Sequence, residues 1–173
     1  MKIVAYFLLF LIFLIIFILK IKIDLNLMVE SRFCNQITSN IFLGDFWAAY
    51  EKDFLKKNGI TAILTCGKGM KSFYPNDFIY KKIQIDDFEY EDILSLFEEC
   101  FQFIDSNEKV LIHCQMGVSR SPSITISYIM KKNKWKYEES HDFVKSKRSI
   151  INPNDGFVRQ LKEWEKIIFH YKY

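Results

Sequence analysis

Residues 110–130 impose the first constraint on the fold. Val110-Leu111-Ile112 is a short apolar run of the kind that makes a buried parallel strand. His113-Cys114-Gln115-Met116-Gly117-Val118-Ser119-Arg120-Ser121 follows directly. Pro122 then sits where the first turn of a helix tolerates a missing N–H, and Ile124, Ile126, Tyr128, Ile129 and Met130 continue that helix over Ser123 to Lys132. A strand, a tight loop and a helix N-terminus aim backbone N–H groups and the positive end of the helix dipole at one point, which makes an anion cradle. Cys114 opens the loop and Arg120 closes it. A thiol nucleophile and a bidentate oxyanion clamp across one cradle point to covalent chemistry on a phosphoryl group.

The flanking sequence supplies the elements that such a unit needs. Ile41-Phe42-Leu43-Gly44 reads as a first strand, and Asp45 as the N-cap of a helix through Trp47, Tyr50, Phe54 and Leu55 that Gly59 stops. Ile60 to Leu64 is a second strand, Gly67 to Asn76 a loop, and Tyr80 to Ile85 a third strand ending at Asp86-Asp87. Ile93, Leu94, Leu96, Phe97, Cys100, Phe101, Phe103 and Ile104 mark an amphipathic helix before the Val110 strand. Helices over Tyr137 to Lys147 and Asp155 to Tyr171 close the chain. Strands alternating with helices, then a helical tail, predict an α/β fold with a mostly parallel central sheet flanked by helices.

Composition excludes several classes. With 24 Lys/Arg against 21 Asp/Glu, the net charge of +3 does not suggest a nucleic-acid surface, so no nucleic acid is expected as a partner. Cys34, Cys66, Cys100 and Cys114 contain no Cys-x-x-Cys pair and there are 3 His, which argues against zinc; no metal and no cofactor is called for. Unpatterned cysteines beside a thiol-dependent loop fit a reducing compartment.

The N-terminus is different in kind. Ile3 to Leu19 is an unbroken apolar run without a polar face, followed by Lys20-Ile21-Lys22-Ile23. Residues 1–23 are therefore expected to form one hydrophobic transmembrane or signal-anchor helix, with 24–36 a polar linker and 37–173 the catalytic domain. Lys20, Lys22 and Arg32 outweigh Lys2, which places the catalytic domain in the cytosol. A signal peptide is the first alternative, although no small-x-small cleavage site follows the run. Translation from Met28, giving a soluble cytosolic protein, is the second.

The Cys-x5-Arg-Ser loop, with its Ser-Arg-Ser-Pro-Ser tail, resembles the signature of the cysteine-dependent protein tyrosine phosphatase superfamily, in its dual-specificity branch. The resemblance runs from about Ile37 to Trp164. It includes Ile41 to Gly44, Gly59-Ile60, the Tyr80 to Asp87 stretch, and Lys147-Arg148 through Asn152-Pro153-Asn154 to Phe157 and Leu161. Thr65-Cys66 departs from the Asn-Val that the family often shows, and reads as a packing difference. The resemblance implies a phosphatase of phosphotyrosine and phosphoserine/phosphothreonine in proteins. Cys114 would be the nucleophile and Arg120 the clamp, with the N–H groups of Gln115, Met116, Gly117, Val118, Ser119 and Arg120 around the phosphoryl oxygens. Asp87, rather than Asp86, would be the general acid. Either Asp could instead cap a helix beginning near Glu89–Glu91. Ser121 would hydrogen-bond the leaving thiolate or serve as a helix N-cap. His113 would orient the loop, and Asn152 or Asn154 would support it from behind.

Other readings stay open at this point. A phospho-binding pseudophosphatase would have to lack the thiol, the arginine or the acid. A phosphoinositide phosphatase usually carries Lys inside the loop, and an RNA 5′-phosphatase would favour a more basic surface. A Cys-loop sulfurtransferase fits the Ser-Arg-Ser-Pro tail less well. Lys131, Lys132, Lys134 and Lys136 read as a solvated helix end or as a patch for anionic lipid.

Overall fold

The structure is a computed structural model that describes residues 11–22 and 33–170. Residues 1–32 and 33–173 form two compact units. In the first, residues 11–22 are helical (α1) and their apolar side chains are exposed. The rest of the expected anchor lies outside the described residues. Among those described, no helix is long and apolar enough to cross a membrane.

The second unit is an α/β layer structure. Its strands are β1 (Cys34–Gln36), β2 (Ile41–Gly44), β3 (Ala62–Cys66), β4 (Ile79–Ile83) and β5 (Val110–His113), in the order β1-β2-β5-β3-β4. All neighbours are parallel except β1 with β2. β1 falls within the stretch expected to be linker. It is 3 residues long and carries one buried side chain, Cys34, so it has too little apolar pattern to be read as a strand.

Strand alternation divides the interior in two. Ile41, Leu43, Ala62, Leu64, Val110 and Ile112 face the larger core with α4 (Phe97–Asp105), α5 (Arg120–Asn133), α6 (Tyr137–Lys147) and α7 (Asp155–His170). Phe42, Ile63 and Leu111 face the smaller one, with α2 (Phe46–Tyr50) and α3 (Lys52–Lys57). Asp45 caps α2, accepting from the backbone N–H of Trp47 (2.8 Å) and Ala48 (3.1 Å). The single helix expected after Asp45 is two, broken at Glu51.

On the larger face α5 runs through the core, buried from Ser121 to Met130. Its four Ser and Thr side chains are also buried. Ser123, Thr125 and Ser127 return hydrogen bonds to carbonyls of their own helix at 2.8–2.9 Å, so they add no unsatisfied donor. Trp164 Nε1–H ties α7 to α5 through Ser127 O at 3.2 Å. The helix that begins the signature loop's far side is thereby fixed by the whole larger core.

Candidate active site

β5 ends at His113 in the middle of the sheet, and the loop turns there into α5, whose first residue is Arg120 rather than Ser123. His113 is fully buried. One ring nitrogen, Nε2, lies 2.9 Å from Thr65 Oγ1 on β3, and Nδ1 lies 3.3 Å from Cys114 O. Burial pushes its pKa down to about 4, against a smaller opposing effect of the Cys114 carbonyl, so the ring stays neutral at physiological pH. A neutral imidazole donates once and accepts once, and here it joins the loop's first residue to the neighbouring strand. Thr65 therefore holds the residue before the candidate nucleophile as well as packing in the core.

The Cys114 thiol is buried and free. Its Sγ accepts from Gly117 N–H and from Ser121 O–H, both at 3.2 Å. Ser121 lies inside the first turn of α5, so it is not the N-cap. Ser119 holds that position and makes no side-chain cap bond. Gly117 adopts φ +64°, and a Cβ there would lie 2.6 Å from Gly44 O, so the turn that points its N–H at sulfur requires glycine. Gln115 and Met116 are exposed, Met116 at 66 %, and Val118 is half-buried. Gln115 O accepts from Phe46 N–H at 3.2 Å, which ties the loop tip to the start of α2.

The two aspartates after β4 have opposite surroundings. Asp86 forms a surface ion pair with Lys68 at 3.0 Å, and Lys68 also pairs with Glu91 at 2.9 Å. Glu91 first, then Asp86, raises the pKa of Lys68. Asp87 instead points at the loop. Its Oδ1 accepts from Ser119 O–H (2.7 Å) and from Asn154 Nδ2–H (2.9 Å). Its Oδ2 lies 3.5 Å from Arg120 Nε, within ion-pair reach but without hydrogen-bond geometry, so that buried Nε has no hydrogen-bond partner. No helix begins at Glu89–Glu91, so neither aspartate caps one there. Asp92, one residue before the N-cap Ile93, accepts from Ser95 N–H at the Leu94–Leu96 turn of 3-10 helix.

The segment before α7 supports the site from behind in two ways. Asn152 acts through its backbone N–H, which donates to Val118 O at 2.7 Å. Asn154 acts through its side chain on Asp87 and also accepts from Phe157 N–H, starting α7; its own N–H donates to Ser119 Oγ at 3.0 Å. Gly156 then packs on the backbone of Glu89, so closely that a Cβ would lie 2.0 Å from Glu89 O. Arg159 pairs with Glu89 (3.0 Å), and Gln160 bonds Glu91 O, Ile93 N–H and Leu94 N–H.

Three contributors have no role assigned from the sequence. These are Thr65, Ser119 as a ligand of Asp87, and Arg148, which the sequence marks only as part of the resembling C-terminal stretch and which is 2 % exposed with Nε bonded to Gly117 O at 3.0 Å. Among the other cysteines, Cys66 comes nearest in register, since it follows Thr65 as Cys114 follows His113. Burial raises its pKa well above the ordinary value. No cluster among the described residues could hold a metal ion.

A parallel sheet delivering a buried cysteine into a loop that ends in arginine at a helix N-terminus defines the class of cysteine-dependent phosphatases. Comparison with known proteins narrows this. Residues 41–167 match the family described as "Dual specificity phosphatase, catalytic domain". Dual specificity protein phosphatase 1B of Arabidopsis thaliana is 40 % identical over 147 residues, covering 83 % of this chain and 88 % of that protein. Human protein phosphatase Slingshot homolog 1 is 40 % identical over 136 residues, 76 % of this chain but 13 % of that longer protein. The crystal structure of the human tyrosine phosphatase-like serine/threonine/tyrosine-interacting protein superposes with a TM-score of 0.76 at 35 % identity, covering 79 % of this chain and 97 % of that one. The chain belongs to the dual specificity phosphatase family, and its 33–173 unit is a protein phosphatase domain.

Proposed function

We propose that the chain hydrolyses phosphotyrosine and phosphoserine/phosphothreonine in proteins through a phosphocysteine on Cys114. Cys114 Sγ, as a thiolate, attacks phosphorus in line with the leaving oxygen. The S–P bond forms, the P–O bond to the substrate side chain breaks, and the protonated Asp87 carboxyl gives its proton to that oxygen. Arg120 and the N–H groups of Gln115 to Arg120 take the equatorial oxygens. In the second step water attacks phosphorus and gives a proton to the Asp87 carboxylate. The S–P bond then breaks, and inorganic phosphate leaves a thiolate that Gly117 N–H and Ser121 O–H receive. His113 remains neutral and orients the loop.

The observation that carries this reading is the convergence on one loop. The Asp87 carboxylate, 32 residues away in sequence, is bonded to Ser119 of the loop that also holds Cys114 and Arg120. Both Gln115 and Met116 at the rim are exposed, which suits phosphorylated side chains of different length. The test is phosphate release from phosphotyrosine and phosphothreonine peptides by the full chain, with vanadate and Cys114→Ser as controls. Vanadate-sensitive cleavage of both peptides, lost in Cys114→Ser, is the expected result. Cleavage retained in Cys114→Ser overturns the nucleophile, and binding without turnover by the wild type makes the protein a phospho-reader.

The membrane tether belongs to the same proposal. The apolar character of Ile3 to Leu19 and the exposure of apolar side chains on residues 11–22 support anchoring, with the catalytic unit in the cytosol.

A further inference from the structure

Arg148 stands out among the buried side chains. At 2 % exposure it is the largest fully buried one, and it begins the chain's exit from α6. Its Nε–H donates to Gly117 O at 3.0 Å and its Nη1–H to Asn35 Oδ1 on β1 at 2.7 Å. Both acceptors are neutral. Nη2 is buried with no hydrogen-bond partner, and it faces Gly117, where a Cβ would sit 2.8 Å from it. Among the described residues no carboxylate lies within ion-pair distance of this guanidinium.

A buried cation held by neutral acceptors is an arrangement that folding alone disfavours, because desolvation is not offset by an opposite charge. Three ionisable groups are near enough to act on Arg148 electrostatically: Cys34, then Asp45, then Cys114. Burial pushes the Cys34 thiol up to about 12, so it is neutral. The Asp45 carboxylate accepts both α2 cap bonds on Oδ1 and acts on the guanidinium only from beyond ion-pair distance. That leaves the far side of the loop, where a thiolate and then a phosphoryl dianion reside during the proposed reaction.

We propose that Arg148 is a positioning residue for catalysis: it fixes the left-handed turn at Gly117 through the carbonyl, and its charge, which no ion pair neutralises, sustains the Cys114 thiolate and the bound oxyanion from beneath the loop. Arg120 meets the phosphoryl group directly from the open side, whereas Arg148 acts across one peptide. This inference rests on Cys114 being the nucleophile.

Asn35→Asp separates charge from structure. It places a carboxylate oxygen where an amide oxygen now accepts from Nη1, so the guanidinium is kept in place while its charge is cancelled. Full-length wild type, Asn35→Asp, Arg148→Lys and Arg148→Met are compared by iodoacetate inactivation, vanadate inhibition and thermal melting. In Asn35→Asp, inactivation at about pH 6 falls at least about tenfold and vanadate binds correspondingly more weakly, while inactivation at about pH 9 and the melting temperature hold or rise. Arg148→Met loses reactivity at about pH 6 in the same way, and Arg148→Lys recovers part of it. If Asn35→Asp is as stable as wild type and keeps its low-pH reactivity and vanadate affinity, Arg148 is only a structural brace. If Cys114→Ser still turns over, the nucleophile reading has failed instead, which is a different result from the same protein set.

Discussion

The two halves of the candidate active site are built differently. The loop from Cys114 to Arg120 grows out of a central strand and into a buried helix. Most of the bonds that hold it involve its own backbone: Gly117 N–H on sulfur, Asn152 N–H on Val118 O, Phe46 N–H on Gln115 O and the Arg148 side chain on Gly117 O. The stretch carrying Asp87, residues 84–93, has neither helix nor strand. It is held by side chains that reach it from elsewhere, namely Ser119, Asn154, Arg159 and Gln160. A phosphate loop needs many N–H groups at one point, which only backbone can supply. The acid and base role proposed for Asp87 needs one carboxyl in a partly wet place, and its side chain is 37 % exposed. The first half is part of the fold, while the second is attached to it.

The sharpest way to expose that difference is Asp87→Ala. Turnover of phosphotyrosine and phosphothreonine peptides should fall about 10²–10⁴-fold, with a much smaller loss for p-nitrophenyl phosphate, whose leaving group needs no proton. Equal losses on both substrates would mean that Asp87 serves the loop and not the leaving group.

On the loop side, the vulnerable property is stability and the lever is pH. His113 has its folded pKa near 4, below the ordinary 6.5, so protons bind the unfolded chain more tightly. The stability that this buried neutral ring preserves is fully present above about pH 6.5 and is lost as pH falls towards 4, by about 3 kcal/mol in all. Urea unfolding of wild type and His113→Gln at both pH values checks this, because the carboxylate contributions cancel in the difference. A constant difference between the two proteins would sink it.

Smaller effects should follow on the acid side. Asn154→Ala removes one of two hydrogen bonds to Asp87 and should lower peptide turnover about three- to tenfold, worth about 1 kcal/mol, with the loop's iodoacetate reactivity unchanged. Asp86→Ala only breaks an exposed ion pair with Lys68, so its rate should stay within about twofold of wild type. A large loss in Asp86→Ala would exchange the roles of the two aspartates.

The same contrast explains what could be read from the sequence. The loop was legible because its chemistry is contiguous, with Cys114, Gly117, Arg120 and Ser121 between an apolar strand and a Pro-marked helix. The mostly parallel α/β sheet followed from strand and helix periods. Contacts at long range were not legible. Asp87 meets Asn154 across 67 residues, Thr65 meets His113 across 48, and Asn35 meets Arg148 across 113. Thr65 read as a packing difference because its hydroxyl finds a partner only when β3 and β5 lie side by side. β1 was missed because an edge strand with one buried residue has no detectable alternation.

Gly156 has a consequence for how such a domain can drift. Its α-hydrogens face the backbone of Glu89, two residues past Asp87, where a methyl group has no room. In a library of variants selected for turnover, that position should tolerate almost nothing, although it touches no substrate and no catalytic group. Gly69, with nothing within 4 Å of an added Cβ, is limited only by its backbone angle. Selection on chemistry would thus leave its imprint on a single hydrogen atom of a helix.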